Sequence, residues 1–186
     1  MNRLERFVGE IDLALDATSE EADILDRARA AMRELVAVDD WLPDEMAKPN
    51  PQYYTQYLLH RDAHARFSVV SFVWGPGQKT PIHDHTVWGV IGMLRGSELA
   101  QGYTQTPAGM APTGPVETLM PGHVAAVSPA TGDIHEVRNA FDDRVSISIH
   151  VYGADIGAVR RHVFEPQSGA VKEFVSGYSN TVGNEA

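Results

Sequence analysis

The chain contains no cysteine. Disulfides, zinc–thiolate sites, iron–sulfur clusters and thiol nucleophiles are thereby excluded, and any metal must sit on nitrogen or oxygen ligands. No run approaches the roughly 18 apolar residues needed to span a membrane, so no membrane partner is expected. Positive charge is also scarce: 15 Lys and Arg stand against 25 Asp and Glu, for a net charge of -10. That balance repels phosphate backbones and argues against nucleic acid as a partner. It does not argue against a small anionic substrate, because one local cation can reverse the potential inside a pocket. Internal repeats and low-complexity blocks are absent. The N-terminus, MNRLERFVGEIDL, lacks the apolar core of a signal peptide, and a cytoplasmic location is the expectation.

What is present fits a single domain over residues 1–186, with an ordinary 43% of apolar and 22% of charged residues. Leu4, Phe7, Val8 and Ile11 repeat at helical spacing, and Ile24, Leu25, Ala28, Met32 and Leu35 do so again. Ser19 is a reasonable N-cap for the second helix. The segment Trp41 to Pro51 then carries three prolines and ends the N-terminal helical segment, set at 1–45.

From about residue 53 the pattern becomes β. Strands are expected over 67–74, 87–94, 98–103, 123–127, 136–138 and 145–152, separated by Gly- and Pro-rich turns such as 108–115. Short strands at this spacing predict a mainly β fold, a small β-barrel or jelly roll over 46–166. Residues 167–186 read as a C-terminal surface extension.

Two stretches carry chemistry. In Gly77-Gln-Lys-Thr-Pro-Ile-His83-Asp84-His85, strand periodicity puts His83 and His85 on one face, where both can reach one ion. Gly132-Asp-Ile-His135 supplies a third imidazole after a turn. A single histidine is ordinarily solvated or hydrogen-bonded, and His60, His64, His123 and His162 are read that way. Further on, Ser148, His150 and Tyr152 alternate with Ile147, Ile149 and Val151, so the polar three share a face. They could form a hydrogen-bond relay ending at the phenol. By itself the alternation also fits a polar strand face turned to solvent.

The spacing from Gly77 through His83 and His85 to Gly96 resembles the first cupin motif, and Pro129 to Asn139 resembles the second. The position of the usual glutamate ligand holds Gly89, as in variants with three histidines and no carboxylate. Spacing alone leaves zinc and iron both open. The full set is Trp74-Gly-x-Gly, Ile82-His-Asp-His-Thr86, Leu94-Arg-Gly96, Gly132-x2-His135-x-Val and Ser148-x-His150-x-Tyr152. It resembles the cysteine dioxygenase family of cupin thiol dioxygenases over residues 53–155.

The resemblance implies Fe(II) on His83, His85 and His135, an outer relay of Ser148, His150 and Tyr152, and a small-molecule thiol and O2 as partners. The animal enzymes of that family carry an arginine in a Tyr-Thr-Arg context that pairs with the substrate carboxylate. Here Tyr54-Thr55-Gln56 places a glutamine there, which resembles the bacterial branch acting on 3-mercaptopropionate. A distal arginine, Arg161 or Arg160, is then a candidate for the carboxylate, though each also reads as a surface charge. Gly89 aligns with the cysteine cross-linked to the relay tyrosine in animal enzymes, so Tyr152 is expected as an unmodified phenol. Trp88 beside it reads as core. The expected function is a non-haem Fe(II) thiol dioxygenase favouring 3-mercaptopropionate. The alternatives are cysteine or mercaptosuccinate as substrate, or a cupin that binds a metal or small ligand without catalysis. No oligomeric state can be read from the sequence.

Overall fold

The computed structural model describes residues 2–180. Helix α1 (Arg3–Ala17) opens with a capping box in which Asn2 and Glu5 satisfy each other's backbone N–H. Helix α2 (Glu21–Val36) starts at Glu20 with no side-chain cap. The expected Ser19 cap is therefore replaced by an N-terminal acidic pair, Glu21 and Asp23, which complements the helix dipole. No helix among the described residues is long and apolar enough to cross a membrane.

The strands are β1 (Thr55–Arg61), β2 (Ser68–Trp74), β3 (Ile82–His83), β4 (Gly89–Arg95), β5 (Glu98–Thr106), β6 (Gly109–Leu119), β7 (Val124–Val127), β8 (His135–Asn139), β9 (Ser146–Tyr152), β10 (Arg161–Phe164) and β11 (Val171–Phe174). They form two antiparallel sheets, in the orders β1-β2-β9-β4-β7 and β11-β10-β3-β8-β5-β6. This is the expected mainly β cupin barrel with two N-terminal helices.

The central strand β9 is buried on both faces. Ile147, Ile149 and Val151 join Val69, Val73, Val90 and Leu94 in one core, against which the apolar faces of α1 and α2 pack through Phe7, Ile11, Ile24 and Met32. At Gly92 of β4 a Cβ would sit 2.6 Å from Met32 Cγ, so only glycine lets α2 approach the sheet this closely. On the other face, Ser148, His150 and Tyr152 are buried, with 0%, 5% and 1% of their surface exposed. The alternation is thus the boundary between a hydrophobic core and a polar interior, and the solvent-facing alternative fails. Trp88 packs in the core with the helices.

Two expectations give way. The Gly- and Pro-rich stretch 108–115 is most of β6, which pairs with β5 alone at the sheet edge. An edge strand tolerates Pro112 and Pro115, because one row of its N–H groups has no ladder to serve. The segment after 166, expected as a surface extension, returns to the barrel: β11 pairs with β10, and Ser179 and Asn180 bind the β1 backbone at Gln56 and Leu58. Residues 181–186 of that expectation lie outside the described residues.

Candidate metal centre

Strand pairing brings the three histidines together. His83 of β3 stands opposite His135 of β8 in register, and His85 follows two residues beyond in the connection to β4. All three pairs of ring centroids are 4.9 Å apart, and one nitrogen from each ring lies within 4.8 Å of the others. His83 Nδ1 is 3.0 Å from the Pro81 carbonyl and His85 Nδ1 is 2.9 Å from Asp133 Oδ1. Each Nδ1 therefore carries the proton and donates it, which leaves Nε2 with a free lone pair. Burial, then the neighbouring His85, pushes the His83 pKa down to about 3. Burial and the other two rings likewise hold His135 well below the usual histidine range. Three ring nitrogens converging on one point are a donor set that suits a divalent metal, so the site fits one.

Asp133 went unassigned in the sequence reading, although it stands two residues before His135. It also accepts the backbone N–H groups of His85 and Thr86, at 3.0 and 2.9 Å. Burial works to raise its pKa, but these bonds and the one from His85 outweigh it, so the carboxylate stays ionised. It orients His85 as an outer carboxylate orients a metal-bound imidazole.

Ser148, His150 and Tyr152 form a continuous chain. Ser148 Oγ is 2.8 Å from His150 Nε2, and His150 Nδ1 is 2.8 Å from the Tyr152 hydroxyl. Trp74, named only as motif in the sequence, donates its indole N–H to Ser148 Oγ at 3.1 Å. The Tyr152 ring stacks on His85 at 5.4 Å and lines the same cavity as the three histidines. Burial, first, and then His85 and His83 keep His150 neutral. Burial also raises the Tyr152 pKa, with Arg161 opposing, so the phenol keeps its proton.

At Gly89 a Cβ would lie 2.8 Å from Tyr152 Cδ1. Replacing Gly89 with Ala should therefore press on the relay tyrosine and cost about 1–3 kcal/mol of stability. Thermal melts should show a lower Tm, and an unchanged Tm would mean the ring has room to yield.

A cavity of about 280 Å³ opens onto the three histidines and Tyr152, and Tyr54, Gln56 and Arg161 also line it. The two arginine candidates separate here. Arg160 forms a surface ion pair with Glu173 at 2.8 Å, whereas Arg161 is 3% exposed and lines the cavity. Its guanidinium lies 4.7 Å over the Phe174 ring and donates to Ser176 Oγ at 2.6 Å, while Nε has no hydrogen-bond partner. Gln56 also reaches the cavity, but its Nε2 donates to the Gly177 carbonyl and ties down the C-terminal segment. His162 bonds Asp84 away from the cluster.

Residues 23–164 match the family model for cysteine dioxygenase type I. Cysteine dioxygenase type 1 of Danio rerio is 26% identical over 135 residues, covering 70% of this chain and 64% of the relative's own length. Among solved structures, a conserved protein with a double-stranded β-helix domain from Klebsiella pneumoniae is similar at 19% identity and a TM-score of 0.47, covering 70% of this chain and 91% of its own. A cupin superfamily protein from Desulfitobacterium hafniense is similar at 13% identity and a TM-score of 0.47, covering 63% and 93%. With most of its length matched by that family model, the chain belongs to the cysteine dioxygenase type I family.

Proposed function

We propose that the protein is an Fe(II)-dependent thiol dioxygenase acting on a small mercapto-carboxylic acid, with 3-mercaptopropionate favoured. The observation that carries the substrate reading is Arg161, a buried cation with an unpartnered Nε in the same cavity as the three histidines. A buried guanidinium without an acidic partner is costly unless an anion joins it, and a carboxylate fits its planar fork. Arg161 forms no salt bridge among the described residues.

The charges of the cavity lining support the same preference. Among the described residues that line it there is no Asp or Glu, so the ammonium group of cysteine would find no counter-charge. Arg161 is the only Lys or Arg among those residues, which leaves the second carboxylate of mercaptosuccinate without a partner. A monocarboxylate thiol matches one cation and no anion.

His83, His85 and His135 would hold Fe(II), which supplies the place where thiolate and O2 meet and relays electrons between them. Overall, the thiol sulfur loses four electrons to O2, both oxygen atoms bond to sulfur, and the product is the sulfinic acid. Arg161 holds the substrate carboxylate and so fixes the direction in which the thiol enters. Phe72, Val137, Val163 and Phe174 line the walls and limit water. Tyr152, oriented by His150 and Ser148, donates its hydroxyl proton to an anionic group beside the histidines.

Replacing Tyr152 with Phe should leave iron content unchanged and slow turnover at least about tenfold, in line with losing one well-placed donor. Metal analysis alongside oxygen uptake checks this. Loss of iron in that variant would remove Tyr152 from the outer role.

A further inference from the structure

A buried carboxyl lies behind Ser148. Glu98 opens β5 in the facing sheet and is only 2% exposed. Its carboxyl faces the Ser148 hydroxyl and the Trp74 indole, while Oε2 makes no hydrogen bond. Its partners in the ladder, Leu119 on β6 and Asn139 on β8, carry no charge. The titratable groups near it are Tyr152, which its charge reaches, and His150 beyond Ser148. No cation acts on it among the described residues.

Counting protons then constrains the chain. Ser148 Oγ already accepts from Trp74, so it has one hydrogen and one lone pair to share between His150 Nε2 and Glu98. Neutral His150 has one N–H for Ser148 or Tyr152. If Glu98 is protonated and donates to Ser148, then Ser148 donates to His150 Nε2 and His150 Nδ1–H donates to Tyr152. The Tyr152 hydrogen then points into the cavity. If Glu98 is ionised, Ser148 turns its hydrogen to the carboxylate, His150 carries its proton on Nε2, and Tyr152 donates inward to Nδ1. Going from the first state to the second by hopping breaks and forms one O–H or N–H bond at each member. The balance is one proton carried from Glu98 to the cavity.

We propose that Glu98 is a positioning residue at the inner end of the relay, its protonation state setting the direction of every hydrogen bond from Ser148 to Tyr152. Burial supports a protonated form near neutrality: it raises the Glu98 pKa to about 7, against the opposing pull of Ser148 and Trp74. The bare Oε2 points the same way, since a neutral acid tolerates an unpaired buried oxygen better than an anion does. The inference deepens the proposed role of Tyr152, but its test requires no turnover.

The test is long-range proton–nitrogen NMR on zinc-loaded, diamagnetic protein carrying isotope-labelled histidine, recorded at about pH 6 and about pH 8.5 to bracket the titration. The expected result is that His150 moves its proton from Nδ1 to Nε2 as pH rises. An infrared carbonyl band of a neutral carboxylic acid should disappear over the same range. In Glu98→Gln the band should be absent and His150 should keep the Nδ1–H form throughout. The wild-type titration stands alone should that variant fold poorly. A His150 tautomer that is the same at both pH values, or that switches equally in Glu98→Gln, overturns the proposal. A switch without any oxygen uptake by the iron-loaded protein would remove the dioxygenase reading and leave Glu98 in place.

Discussion

Replacing His135 with Ala should leave a folded protein that retains no stoichiometric iron and consumes no oxygen with any thiol. The fold is expected to survive because His135 is placed by backbone pairing, opposite His83 on one side and Gly102 on the other, and alanine preserves both ladders. Retention of the metal should not survive. Outer partners of a metal-bound histidine are typically worth about 10- to 100-fold in affinity, and loss of one of three direct ligands costs more. Two imidazoles from a group already small in number leave solvent to fill the rest of the coordination shell. Metal analysis after gel filtration, with circular dichroism as the control for folding, gives the answer. Full iron content in His135→Ala would mean that the metal sits elsewhere.

The second large effect concerns Arg161. Exchanging it for Met keeps an unbranched apolar stem and removes the guanidinium, with its charge and its place over the Phe174 ring. A hydrogen bond to a charged group is worth about 1.5–3 kcal/mol, so KM for 3-mercaptopropionate should rise roughly 10- to 150-fold. A thiol of similar length with a hydroxyl in place of the carboxylate should lose little, because it never made that contact. The comparison of the two thiols separates loss of charge recognition from general damage to the pocket. Equal losses for both would assign Arg161 to packing and return the carboxylate question to Gln56 and Tyr54.

How far these features were legible in the sequence follows from which signals are local. His83, His85 and His135 were readable because the turn and strand spacing on each side fixes them within a few residues. The β9 alternation was readable because a strand has period two, although that period does not say whether the polar face meets water or a closed interior. Only the facing sheet, which buries Ser148 completely, decides that. Glu98 had no such signal. In Glu98-Leu-Ala-Gln-Gly it resembles any surface strand residue, and its burial comes from β9 some fifty positions away in the chain. Asp133 was hidden for a related reason, since an aspartate after a glycine in a turn is commonplace and its partner, His85, lies on another element.

β6 was obscured by its prolines, which mark turns everywhere except at a sheet edge. The return of residues 171–180 onto β1 and β10 was obscured by composition. Its contacts are backbone pairing, hydrogen bonds at Ser176, Ser179 and Asn180, and the lone aromatic Tyr178 against the core, rather than an apolar stripe. Gln56 illustrates the same point from the other direction. Its alignment with a substrate-binding arginine was visible in the sequence, but its bond to Gly177, contributed by that returning segment, was not.

The most direct test of the central claim is oxygen uptake by anaerobically iron-loaded protein given 3-mercaptopropionate, cysteine and mercaptosuccinate separately, with the products assayed for sulfinate. The account predicts uptake matched mole for mole by sulfinate, with the highest kcat/KM for 3-mercaptopropionate. No uptake with any of the three, despite a full complement of bound iron, would contradict it and favour a cupin that binds its ligand without oxidising it.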